Sequence, residues 1–400
     1  MRFGDFPPDT GTDTSTGRVF GKALCRRRTM DMWKTLIFYS KPIFALILTI
    51  LSFSCSDMLD YFSLYEKIVP GGLVPMGMYS GPIIDQAIAL AISPDGRNVY
   101  VVAQGTADAV AWFDRSAEGS LTYVARYSSA TNLDSPCDVV VSSDGSNVYV
   151  ASIGSGVVWF DRTVDGSLTY RGRYSDANYP FPTGIAISPD GNNIYITAQG
   201  ADAIAWFTRN SNGSLTYNSR YTNAQIHLPY KLTVSPEGKN VYAAIDFCAV
   251  SPNAVTWFDR GLNGTLSNQV HITNTLHRAI GVTVAPDGKN VYSAGLSLIT
   301  WYTRQANGSL SLGGEYSNSD LDGLWSISLS PDGKNAYAAA NSDDAVAWFT
   351  RMTDGSLRFD GSYTHPTLDG ATAIAVSPDG NDVYMTAVGS DAVIWFLRKQ

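Results

Sequence analysis

An acidic turn residue that returns seven times, a tryptophan that follows each return, and four short apolar runs per period predict an all-β chain, a seven-bladed β-propeller of four-stranded antiparallel blades. The acid of the S-P-D-G-type element falls at Asp95, Asp144, Asp190, Glu237, Asp287, Asp332 and Asp379, giving spacings of 49, 46, 47, 50, 45 and 47 residues. Trp112, Trp159, Trp206, Trp257, Trp301, Trp348 and Trp395 follow in step, so seven of the nine tryptophans belong to the scaffold.

Each element of the period has its own physical reason. The first run, "AIAVSPDG" in the last repeat, is a short strand whose residues three and five before the acid are apolar in every blade, as in Leu90 with Ile92 and Ile374 with Val376. Four before the acid stand small groups such as Ala91, Ala186, Ser328 and Ala375, so small faces large where neighbouring blades meet. Asp-Gly then supplies the turn, because glycine accepts positive φ and the carboxylate can accept from the backbone two residues on. The second run, "NDVYMTA", is β-branched and aromatic, and the third, "DAVIWFLR", carries the Trp–Phe pair that fills the space between blades. An arginine ends the third run in all seven blades (Arg115, Arg162, Arg209, Arg260, Arg304, Arg351, Arg398), which marks it as structural. A fourth run such as "GSLRFDGSY" follows a glycine turn and completes the blade.

The last repeat stops at Gln400 after its third run, and the beginning of the repeated region supplies what is missing. "GGLVPMGMY", from Gly71 to Tyr79, aligns without a gap on "GSLTYVARY" and "GSLRFDGSY". This predicts an N-terminal strand that completes blade 7 and leaves no open seam for edge pairing. Pro75 is tolerated there because an outermost strand need not donate every N–H.

Upstream, "MDMWKTLIFYSKPIFALILTILSFSCSD" from Met30 reads as an export signal: lysines, an apolar core from Pro42 to Phe53, then small residues. Residues 1–29 read as a non-structural extension ahead of a start at Met30 or Met32, residues 30–54 as the signal peptide, 55–70 as a tether and 71–400 as the propeller. Cys55 after Ser54 resembles the acylated cysteine of bacterial lipoproteins, although Leu51 lies four residues before it where the usual motif has leucine three before. The competing reading, an uncleaved helix over residues 35–54, must bury Lys41 at a cost of about 3 kcal/mol. Either reading places the rest of the chain outside the cytoplasm, in the cell envelope, held to a membrane and expected as a monomer.

Composition narrows the function classes. A formal charge of −8 and the lack of a basic run outside residues 26–28 argue against nucleic acid, which needs a concentrated basic face. Cationic or neutral ligands fit better. The four cysteines, Cys25, Cys55, Cys137 and Cys248, have no CxxC spacing, so neither a thiolate zinc site nor a disulfide framework is indicated. A Cys137–Cys248 bridge would have to span blades 2 and 4.

S-P-D-G-K-N-V-Y-V-A, followed by D-A-V-x-W-F-x-R and a G-S-L turn, resembles the lactonase-like, YVTN-repeat family of seven-bladed propellers over Gly71 to Gln400. The resemblance implies the architecture, and through members resembling 6-phosphogluconolactonase it implies a hydrolase that opens lactones or related cyclic esters. Those members carry a His-Pro-His element ending about seven residues before a turn acid. Here that column reads Ile88, Cys137, Thr183, Tyr230, Ile280, Trp325 and Thr372, without histidine. The family's Asp-Leu-Gly-x-Asp motif has partial counterparts at Asp108, Asp202, Asp344 and Asp391, which recur in four blades and read as loop caps. Sugar phosphates are cytoplasmic, so an exported chain is not expected to meet a phosphogluconolactone.

Strand alternation puts the S-P-D-G and G-S-L turns on one rim and the divergent connections on the other, where specificity should lie. Ten residues before the acid stand Asp85, Asp134, Pro180, His227, His277, Asp322 and Asp369, with Tyr230, Lys231, Arg278, Trp325 and Asp138 nearby as breaks in the repeat. Read as a site, these make an acidic half-funnel facing a histidine pair. Such a funnel would hold an amine or a divalent cation, or run lactone hydrolysis on a metal-bound water; no cofactor is required. Read blandly, the aspartates are turn residues and the histidines exposed loop polars. The chain contains no Ser-His-Asp order, Gly-rich phosphate loop or HExxH. The expected function is a binding module that takes a small molecule, glycan or protein on its divergent face, with lactone hydrolysis as the alternative.

Overall fold

The computed structural model describes residues 70–106, 108–246, 254–273, 278–319 and 321–400. Among them are 28 strands, numbered β1–β28 in chain order, in seven four-stranded antiparallel sheets. Blade 1 consists of β2 (Ala87–Ile92), β3 (Asn98–Ala103), β4 (Ala109–Arg115) and β5 (Leu121–Ser128). Blades 2 to 6 repeat that order within residues 136–174, 182–222, 229–273, 281–317 and 324–364. Blade 7 has the strand order β1 (Leu73–Ser80), β28 (Ala392–Arg398), β27 (Asp382–Ala387) and β26 (Ala371–Val376). The predicted closure is therefore present: β1 runs antiparallel to β28 from Leu73 opposite Arg398 to Ser80 opposite Ala392.

A bulge after Pro75 absorbs one residue of β1. Bulges recur in the outer strands of other blades opposite the Trp–Phe pair, for example between Trp112 and Phe113 and between Trp348 and Phe349. In β1 the residue opposite Trp395 is Gly77, where a Cβ would lie 2.5 Å from the indole.

The second strand of every blade is buried along its whole length. Its alternate residues serve different neighbours. Tyr100, Val102 and Trp112 pack against Val139, Val148 and Phe160 of blade 2, whereas Val99, Val101 and Phe113 pack with Tyr384 and Val393 of blade 7. The adjacent Trp and Phe thus fill opposite interblade spaces, as period-2 alternation demands. Among the described residues no helix is long and apolar enough to cross a membrane. The proposed signal segment and Cys55 lie outside the described residues.

Candidate functional site

The repeated rim accounts for the invariant charges. Arg162, at the end of the third strand of blade 2, donates from Nε to the Tyr100 hydroxyl (2.6 Å), from Nη2 to Asn98 Oδ1 (2.6 Å) and to the turn acid Asp95, all in blade 1. Its Nη1 donates to the Gly145 carbonyl of its own turn, and Tyr100 in turn donates to the Gly166 carbonyl of blade 2. This clasp recurs around the ring, through Arg209–Asp144, Arg260–Asp190, Arg304–Glu237, Arg351–Asp287, Arg398–Asp332 and Arg115–Asp379. At blade 7 the carbonyl beneath Tyr337 is that of Gly71, so the N-terminal segment also supplies the missing turn of a clasp. Each arginine is deeply buried and each turn acid is half open to solvent. The turn acid is thus both the turn former that the sequence implies and an interblade ion-pair partner, the part that local reading misses.

The other rim is held by different groups. Asp108, Asp202, Asp344 and Asp391, all at positive φ, accept from the backbone N–H of Ser135, Leu228, Gly370 and Gln86 at the start of the next blade. Asp202 also meets His227 Nδ1 at 2.9 Å. The four carboxylates expected to form a half-funnel sit over the loops of their own blades. Asp85 accepts from the backbone and hydroxyl of Thr106, which hold its carboxyl below the ordinary value. Asp134 lies against Gly154 and accepts from the Ser135 hydroxyl, Asp322 accepts from the Gly323 amide, and Asp369 lies against Gly389. Asp369 also lines an open cleft of about 450 Å³ with Asp343, Asp344, Thr364, His365 and Pro366. His277 and Cys248 lie outside the described residues. Among the described residues no group of three or more His, Cys, Asp or Glu is placed to hold a metal ion.

What the structure does gather is at the inner strands. In six blades the first strand slips register near the column seven residues before the turn acid, the position of Ile88, Cys137, Thr183, Tyr230, Trp325 and Thr372. A bulge re-aims the side chain that it carries. Tyr230 of blade 4 and Trp325 of blade 6 meet edge to face, ring centres 5.5 Å apart and planes at 89°. Beside them Lys231 Nζ reaches Asp138 Oδ1 of blade 2 at 2.9 Å and the Cys137 carbonyl at 3.3 Å, past blade 3, whose residue in the column of Lys231 and Asp138, six before the turn acid, is Gly184. A Cβ on Gly184 would lie 2.3 Å from the Tyr230 carbonyl, so glycine is what lets blade 4 come close. Asp138 Oδ2 also accepts from the Ile185 amide, and Thr197 donates to the Tyr230 carbonyl at 2.7 Å, fixing both ends of the bridge.

The electrostatics of this cluster keep its phenol and its thiol in their neutral forms. Burial, with smaller contributions from Cys137, Asp246 and Asp138, raises the Tyr230 phenol well above its ordinary value, so it stays neutral and can donate. Burial pushes the Cys137 thiol up to about 12 against the pull of Lys231, which leaves no thiolate nucleophile near neutral pH. Arg278 forms a two-pronged pair with Asp246, Nε to Oδ1 at 2.6 Å and Nη2 to Oδ2 at 2.7 Å. Of the sequence candidates, then, Tyr230, Lys231 and Trp325 come together with Asp138, whereas Arg278 is committed to Asp246. Cys137 and Asp246 were not among the candidates. Reading the columns six and seven before each acid as sets would have brought Cys137 forward beside Asp138, Tyr230, Lys231 and Trp325.

A sequence model of the family described as "Lactonase, 7-bladed beta-propeller" matches residues 77–181 and 167–271. A search of curated proteins finds no match. Among solved structures, hydrazine synthase of Kuenenia stuttgartiensis superposes with a TM-score of 0.61 at 19% identity, covering 80% of this chain and 97% of that one. The periplasmic gluconolactonase of Pseudomonas aeruginosa gives 0.61 at 19% identity, covering 76% and 88%. A Bacteroides uniformis protein provisionally assigned as a 6-phosphogluconolactonase gives 0.59 at 23%, covering 70% and 85%. At these identities the structural likeness is one of fold. By its blade count, its ring closure and the family match, the chain is a lactonase-like seven-bladed β-propeller.

Proposed function

We propose that this propeller is a binding module of the cell envelope, exported by the segment at residues 30–54, anchored through Cys55, and acting through the inner strands of blades 2, 4 and 6. The observation that carries the reading is the Lys231–Asp138 bridge beside the perpendicular Tyr230–Trp325 pair. The bridge offers a donor and an acceptor at fixed spacing, and the aromatic pair offers an apolar face and a phenol O–H. Because Lys231 and Arg278 are each matched by a carboxylate, the cluster favours an uncharged, hydroxyl-rich ring compound over a strongly charged one. Binding is tested by calorimetry with D-glucono-1,5-lactone and with gluconate, the wild type beside Lys231→Met and Trp325→Ala. Saturable binding of the lactone that both variants lose by tenfold or more supports the reading; equal binding by all three places the site elsewhere. Anchoring is tested by fractionation: Cys55→Ser should move the protein from the membrane fraction to the soluble one, and retention would refute acylation at that residue.

The family match favours a second reading, hydrolysis of lactones or related cyclic esters. Proton release from a lactone panel in a pH-stat decides it. Turnover that persists in a His227→Ala/His277→Ala variant removes the histidine pair from the mechanism, and no turnover by the wild type removes the enzyme.

A further inference from the structure

Six of the seven interblade clasps place an asparagine under the incoming arginine, namely Asn98, Asn147, Asn193, Asn240, Asn290 and Asn335. Each accepts from the arginine through Oδ1 and donates through Nδ2 to the third strand of its own blade, as Asn193 does to the Phe207 carbonyl and Asn98 to Asp114. The seventh, between blade 7 and blade 1, has Asp382, which is buried with 2% of its surface exposed. A carboxylate cannot make the second bond. Arg115 therefore receives two carboxylates, Asp379 at 2.8 Å and Asp382 at 2.5 Å. Across the sheet, the residue opposite Asp382 is Leu397, where the asparagines face Asp114, Asp161, Thr208, Asp259, Thr303 and Thr350.

We propose that the seam between blades 7 and 1 is an acid-tightened clasp, weaker than its six counterparts at neutral pH and equivalent to them once Asp382 is protonated. A protonated Asp382 keeps one oxygen for Arg115 and gains an O–H donor where the asparagines have Nδ2, and Arg115 is then matched by Asp379 alone. The groups facing Asp382 are Arg115 from β4, Asp379 from the β26–β27 turn, the Ser377 hydroxyl that accepts from its amide, and Tyr384 from its own strand; the β4–β5 turn passes over it at Gly119, next to Glu118. Burial, and secondarily Asp379, raises the Asp382 carboxyl above its ordinary value despite Arg115. Burial likewise works to raise Asp379, but hydrogen bonds from Ser377, Arg115 and the Asn381 amide hold it down at about 2. A carboxyl whose proton is held more tightly in the folded chain than in the unfolded one adds stability as pH falls through its folded value and withdraws it above. Asp379 does the reverse, at lower pH, so a window above the range of Asp379 exists in which acid strengthens this seam.

The test is the melting temperature of Asp382→Asn and of Asn335→Asp, each measured against wild type at pH 7.5 and pH 5. Asp382→Asn should melt at least about 2 °C higher than wild type at pH 7.5, with the gain shrinking at pH 5. Asn335→Asp, which installs the same two-carboxylate arrangement at Arg398, should melt lower at pH 7.5 and recover at pH 5. An Asp382→Asn variant that is no more stable at pH 7.5 or fails to fold, a gain that is the same at both pH values, or an Asn335→Asp variant indistinguishable from wild type at both would each overturn the proposal.

Discussion

The two rims of this ring are built by opposite rules. On one, seven copies of Arg, Tyr, Asn or Asp and a turn acid are bonded to one another between neighbouring blades. Toward the other end of the blades, a single lysine crosses a glycine to one aspartate, and one tyrosine meets one tryptophan two blades away. Repetition marks what every blade needs in order to hold its neighbour. Function is to be sought where the repeat is broken, because a ligand needs one site and has no use for seven.

The contrast can be broken most severely at the closure. A chain that starts at Gly81 lacks β1, exposes the edge of β28 and leaves Tyr337 without the Gly71 carbonyl; it should lose its cooperative melt and self-associate, as read by calorimetry and light scattering. Next in size is Gly166→Ala. This residue sits at φ +85° with Asn98 Cγ 2.2 Å from the place of a Cβ, so both backbone and clasp are strained, and urea unfolding should show a loss of about 2 kcal/mol. Acid should act on the same rim more gradually. Burial works to raise the carboxyl of Asp332, but hydrogen bonds from Ser330, the Lys334 amide and Arg398 hold it at about 2, below the unfolded value, and Asp379 is held likewise. Groups depressed in this way contribute stability above pH 4 and lose it as pH falls toward 2, so the urea midpoint should decline across that window, and less steeply in Asp332→Asn. At the small end, Val164 is 84% exposed at the tip of a repeated turn, and Val164→Ser should change the free energy of urea unfolding by less than about 0.5 kcal/mol.

The fold was legible because its signals are local: an Asp-Gly turn, a β-branched run and a Trp–Phe pair recur with a period that no helix or sandwich explains. Closure was legible too, since Gly71 to Tyr79 carries the pattern that blade 7 lacks. The clasp was half legible. Arginine and turn acid are visibly invariant, but partners such as Arg260 and Asp190 are 70 residues apart, and nothing in either blade alone says that they meet. The site was less legible still. Asp85 and Asp134 look like funnel residues in a column, yet the Thr106 amide one loop away engages Asp85 and the hydroxyl of the adjacent Ser135 engages Asp134. The Lys231–Asp138 bridge depends on a missing side chain at Gly184 and on bulges that turn the inner strands, features that lie in geometry and not in residue type.

The most direct test sets the two regions against each other in one measurement, urea unfolding of Arg260→Ala beside Lys231→Met/Asp138→Asn. Arg260 is buried under Tyr195, Asn193 and Asp190, and its loss should cost about 3 kcal/mol. The double variant removes both charges and leaves an amide oxygen for the Ile185 N–H, so it should stay within about 1 kcal/mol of wild type. Equal losses, or a larger loss in the double variant, would contradict the assignment of stability to the repeat and not to its interruptions.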